Sequence, residues 1–118
     1  MKKILVSVFL ILCAISFLVA HPASKVIVEY DATNKTIKVD VKHDLTKSPV
    51  QDVKKHFIKT ITLIIDGKLV KEDSFNLQST VDDQFVNFTD IVLNKGSKVV
   101  VKAVCNLGGA KSGSLTIK

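Results

Sequence analysis

The 118-residue sequence contains no arginine and no tryptophan, one tyrosine, one methionine, two prolines and two cysteines. All 17 basic residues are lysines. Without arginine there is no planar fork to grip a phosphate or a base edge from two sides. Without basic–aromatic interleaving there is no stacking platform either. Nucleic-acid binding is excluded on both counts, and the lysines read as a soluble, solvated surface. The carboxylates form no pair of definable geometry, so a glycosidase reading has no support. No serine sits in a nucleophile-elbow motif. Gly108-Gly109 follows a strand pattern but opens no helix, which excludes a phosphate-cradling loop. With 47% hydrophobic and 24% charged residues, the chain is neither disordered nor low in complexity.

The one long apolar run lies at the start. Met1-Lys2-Lys3 is a charged opening, and Ile4 to Ala20 is apolar except for Ser7 and Ser16. This is the layout of a secretory signal, with Leu18-Val19-Ala20 ending on a small residue where cleavage would fall. The run is short for a membrane span of about 20 residues and no basic residue follows it directly, so no span is expected after its removal. The sequence therefore predicts a signal peptide over 1–20, one domain over 21–118, and a periplasmic or secreted protein. Cleavage lowers the formal charge from +6 to +4 and places His21 at the new N-terminus. It also removes Cys13, leaving Cys105 without a disulfide partner in its own chain. That thiol is a buried small apolar residue, an intermolecular partner or a metal ligand.

The periodicity of the domain is two. Lys25–Tyr30 alternates around Val26, Val28 and Tyr30, and Thr36–His43 places Ile37, Val39, Val41 and His43 on one face. Asp44–Lys55 is polar, carries Pro49 and reads as a loop. His56–Ile65 is a strand rich in Ile and Thr. Asp66-Gly67 is a two-residue hairpin signal leading to a strand over Lys68–Asp73. Gln84–Thr89 and Ser97–Cys105 follow, the second with Val99, Val101, Ala103 and Cys105 on one face; Ser114–Ile117 closes the chain. About seven short strands with turns every 8–12 residues or so, and no helix, predict an all-β, immunoglobulin-like sandwich.

The residues able to carry chemistry are His21, His43, His56 and Cys105. His43 and Cys105 end strands in the inward-facing register, and His56 begins one. A sandwich gathers its loops at two rims, so these three could meet at one rim. Imidazole and thiolate together suit iron, copper or zinc. Each also has a plainer reading, the histidines as half-exposed strand ends and the cysteine as inert packing. The spacing from His43 to His56 matches no zinc-finger or zincin pattern.

His56-Phe57-Ile58-Lys59-Thr60-Ile61, followed by Asp66-Gly67-Lys68, resembles the His-aromatic-Ile-x-x-Ile strand and hairpin of the superoxide reductases, the iron domains of desulfoferrodoxin and neelaredoxin. Val104-Cys105-Asn106-Leu107-Gly108-Gly109 resembles their Cys-Asn-Leu-His-Gly motif. The resemblance extends over most of Val39 to Gly109. It implies a seven-stranded immunoglobulin-like sandwich with a mononuclear non-haem iron that reduces superoxide, or another small oxidant, using electrons from an unidentified donor. It also implies His43 and His56 as equatorial ligands and Cys105 as the axial thiolate. Gly108 stands where the family has a histidine, and His43 is followed by Asp44 rather than Pro. The loop between His43 and His56 is longer than the family's. The family's four histidines cannot be assembled from the three present, so His21, with its α-amino nitrogen, is the remaining candidate donor. Two other readings stay open: a copper-binding carrier using the same two histidines and cysteine, and a metal-free binding module on the same fold.

Overall fold

The computed structural model describes residues 22–118; the expected signal segment and His21 lie outside them. Seven strands form in chain order: β1 (Lys25–Asp31), β2 (Thr36–Lys42), β3 (Ile58–Ile65), β4 (Lys68–Ser74), β5 (Asp83–Phe88), β6 (Lys98–Cys105) and β7 (Ala110–Thr116). They build two antiparallel sheets, β1-β2-β5 and β4-β3-β6-β7. The all-β sandwich expected from the period-two pattern is the architecture observed. A single 3-10 turn, Leu45–Lys47, interrupts the loop after β2. No helix among the described residues is long and apolar enough to cross a membrane.

The core lies between the sheets because alternate residues of every central strand face inward. Ile37, Val39 and Val41 of β2 meet Ile61 and Leu63 of β3 and Val99, Val101 and Ala103 of β6, all buried. Burying each large aliphatic side chain contributes about 1.5–3 kcal/mol. The β3–β4 hairpin turns at Asp66 and Gly67, with φ of 51° and 80°, the doubly positive geometry of the two-residue turn.

Two elements depart from the sequence expectation. β3 begins at Ile58, two residues after His56, because His56 belongs to a turn that precedes the strand. β7 begins at Ala110, not Ser114. Its first five residues, Ala-Lys-Ser-Gly-Ser, have no apolar alternation; it is an edge strand held by its ladder to β6, from Val104↔Ala110 to Lys98↔Thr116.

Candidate metal centre

His43, His56 and Cys105 meet at one end of the sandwich, between the sheets. Their ligand atoms all lie within 4.8 Å of one another. All three side chains are buried, at 0%, 0% and 2% exposure.

Each arrives by a different local device. His43 follows β2 and keeps the inward register of Ile37, Val39 and Val41. Its N–H donates to Asp82 O (2.9 Å) and Leu45 N–H to Val81 O (2.8 Å), so pairing extends to the residues just before β5. His56 closes a turn in which Lys55 N–H (2.9 Å) and His56 N–H (2.8 Å) both donate to Asp52 O. The Asp52 carboxylate caps the same turn through Lys54 N–H (2.9 Å). A bulge follows: Ile58 pairs with Cys105, but Ile61 pairs with Ala103, so β3 carries one extra residue there. Without it, Ile58 and Ile61 could not both face the core.

Cys105 ends β6 and enters a tight turn. Gly108 N–H donates to Cys105 O (3.1 Å) and Cys105 N–H to Gly109 O (3.1 Å). Gly108 takes φ of +114°, a region that side-chain-bearing residues rarely adopt. The turn aims Leu107 N–H at Cys105 Sγ (3.4 Å). Asn106 ties this turn to the His56 segment on both sides of that histidine: its Oδ1 accepts from Phe57 N–H (2.9 Å) and its Nδ2 donates to Lys55 O (2.9 Å).

The imidazole of His56 has a determined tautomer. Its Nδ1 faces Val50 O at 2.9 Å, and a carbonyl can only accept, so Nδ1 carries the proton. In the neutral imidazole Nε2 then presents its lone pair towards Cys105 Sγ, 3.2 Å away. The His43 and His56 rings pack edge to face, with centroids 4.7 Å apart. Burial pushes the Cys105 thiol up, partly offset by the backbone N–H groups of Leu107 and Gly108. A bound cation is what would turn such a thiol into thiolate.

These donors fit a transition-metal ion. Neighbouring donors bonded at about 2.0–2.3 Å to one ion stand roughly 3.0–3.6 Å apart, and the His56–Cys105 separation falls in that range. A histidine ligand usually donates its other ring N–H to a carbonyl or carboxylate, as His56 does here. The sequence pattern thus named three residues that the fold brings together, and His21 lies outside the described residues. Sequence reasoning missed Gln78, which is 1% exposed and 2.6 Å from His43 Nδ1. It sits in the irregular segment between β4 and β5, where no periodicity marks it and Asn76, on the other side of Leu77, offers the same side-chain chemistry.

No family model and no curated protein matches the chain. Among solved structures, the chain is similar to a superoxide reductase (neelaredoxin) from Archaeoglobus fulgidus in the reduced form. The two are 20% identical over 83% of this chain and 89% of that one, with a TM-score of 0.53. The neelaredoxin from Ignicoccus hospitalis is 18% identical over 81% and 80%, at 0.51. The hypothetical protein PH1083 from Pyrococcus horikoshii is 20% identical over 82% and 89%, at 0.56. The chain has the superoxide reductase fold, in a divergent sequence, with a His43–His56–Cys105 cluster able to hold a metal.

Proposed function

We propose that the chain is an exported mononuclear non-haem iron protein of the superoxide reductase type, with His43, His56 and Cys105 as ligands. The observation that carries this reading is the convergence of two oriented imidazoles and one thiol, from both sheets, on the fold of that family. Ferrous iron bound there would supply one electron to superoxide, which takes up two protons and leaves as hydrogen peroxide. Cys105 supplies the strongest donor, and Leu107 N–H steadies its sulfur. Val50 O and Gln78 Oε1 orient the imidazoles. The apolar core beneath excludes water from the ligand side chains. The electron comes from a separate donor.

His21 is proposed as a further donor once residues 1–20 are removed. The path of the following residues supports it. Ser24 N–H donates to Lys42 O (2.9 Å), beside His43, and Ala23 is buried in the core. Pro22 lies against Gly109, where an added Cβ would stand 2.7 Å from the Pro22 Cβ. The chain therefore enters the fold between the His43 strand end and the Cys105 turn.

A second reading, a copper carrier, is favoured by the composition of the cluster: two imidazoles and one thiolate are the equatorial set of blue-copper sites. Metal analysis and visible spectroscopy of tag-free protein beginning at His21 separate the readings. The expected result is about one iron per chain, with a thiolate-to-iron band absent in Cys105→Ser, followed by turnover of superoxide. Copper with an intense thiolate band moves the function to electron transfer or copper handling. Failure to take up either metal anaerobically overturns both and leaves a metal-free binding module.

A further inference from the structure

We infer that Gln78 is a positioning residue that sets the tautomer of His43 and thereby makes its Nε2 the ligand atom. The consequence for metal binding rests on the proposed metal centre; the tautomer itself does not.

The hydrogen-bond chemistry around Gln78 admits one arrangement. Its Nε2 donates to His43 O (2.9 Å) and to Thr80 O (2.8 Å). Both partners are carbonyls, so flipping the amide would set oxygen against two oxygens. Its Oε1 is therefore the atom facing His43 Nδ1 at 2.6 Å. Oε1 only accepts, so Nδ1 carries a proton, and in the neutral imidazole Nε2 then keeps the lone pair. A neutral imidazole in water prefers the other tautomer, with the proton on Nε2, which could not bind a metal through that atom.

Gln78 also reaches the second histidine segment. Its backbone N–H donates to Val53 O (3.1 Å), inside the turn that delivers His56. One residue thus grips His43 with its side chain and the His56 turn with its main chain. A carboxylate could not replace the amide, because it would accept from Nδ1–H but present two oxygens to two carbonyls.

Long-range proton–nitrogen NMR on the metal-free protein reads the tautomer directly. The expected result is Nδ1–H on both His43 and His56 in the unmodified protein. In Gln78→Leu, of similar volume, His43 changes to Nε2–H or a mixture while His56 stays as it was. Gln78→Glu, which keeps the acceptor, retains Nδ1–H on His43 even if the segment loosens. Metal affinity then falls about 10–100-fold in Gln78→Leu, the usual cost of losing the partner of a ligating histidine. Nε2–H on His43 in the unmodified protein overturns the inference, and this needs no variant to fold. An unchanged His43 tautomer in Gln78→Leu overturns it as well. Failure of the unmodified protein to bind metal overturns the proposed function and leaves the tautomer result standing.

Discussion

The two ends of this sandwich are closed by different means. At one end the strands turn tightly: Asp31 to Thr36, Ile65 to Lys68, and the segment from Phe88 to Lys98. Asn34 N–H donates to the Asp31 carboxylate within its own turn (3.1 Å), and Lys98 N–H donates to the Asp66 carboxylate of the neighbouring hairpin (2.9 Å). Tyr30 pins the longest of the three through Ile91 O (2.9 Å). The other end carries the loop between Lys42 and Ile58, the segment between Ser74 and Asp83, and the Cys105 turn. There His43, His56, Gln78 and Ser48 are buried within the loops themselves. Buried polar groups cost stability unless each finds a partner, so this end supports them with a second layer of amides and carbonyls. At the first end neighbouring turns are tied mainly through main-chain groups, as in Ile91 N–H to Lys35 O (2.9 Å) and Asp66 N–H to Lys98 O (2.9 Å), whereas at the other buried polar side chains from both sheets form one network.

The sharpest way to break this contrast is at the thiol. Cys105→Ser should abolish metal uptake while leaving the β-sheet circular dichroism in place; full metal content in that variant would show that the network end is not the centre. Next comes Asn106→Ala, which unties the Cys105 turn from both sides of His56. Loss of these bonds should cost about 1–3 kcal/mol in chemical denaturation and weaken metal uptake.

A matched pair of turn substitutions tests the ends against each other. Gly67→Ala, at φ of +80°, meets nothing within 4 Å, so it should cost only about 1–2 kcal/mol of left-handed backbone strain and leave metal binding unchanged. Gly108→Ala, at φ of +114°, should cost about 1–3 kcal/mol and also disturb the Leu107 N–H on sulfur. Equal effects on metal binding would erase the distinction.

The smallest effect is expected on the outer face of β1-β2-β5, turned away from the buried cluster. Lys42 Nζ bridges Asp40 (2.9 Å) and Asp83 (2.8 Å). Burial and the neighbouring Asp83 carboxyl push Asp40 up, while a hydrogen bond from protonated Asp40, together with Lys42, holds Asp83 down. The stability due to Asp40 is full below about pH 3.8, the ordinary aspartate value, and is lost as pH rises through its higher folded value. That due to Asp83 runs the other way: present above pH 3.8, lost as pH falls through its lower folded value. Asp40→Asn should therefore raise the melting temperature slightly at pH 7 and leave it unchanged in acid. A loss of stability at pH 7 would reverse the assignment.

Most of the fold was legible because its central strands bury one face and expose the other. Ile37, Val39 and Val41 could be read as one inward row, and the same row, carried one step further, pointed His43 into the core. Val99 to Cys105 worked in the same way. β7 was partly illegible: an edge strand of small and polar residues gains its order from hydrogen bonds to β6, which leave no trace in hydropathy. The start of β3 was shifted because Asp52 forms a turn through His56, a local contest that alternation cannot judge. Leu45, fully buried in a segment read as polar loop, shows that the long connection packs down at the metal-site end.

The sequence by itself determined the central rows of the buried strands, the doubly positive hairpin at Asp66-Gly67 and the inward parity of His43 and Cys105, since each follows from residues close together in the chain. It could not decide that strand ends from two sheets share one rim, that an added residue at the β3 bulge lets Ile58 face Cys105, or that Gln78 reaches His43. Those are relations between residues far apart in the chain, 35 positions for His43 and Gln78 and 49 for His56 and Cys105. Parity says which face a side chain takes, whereas the distance between two faces is set only when the sheets pack and every buried polar atom must find its partner.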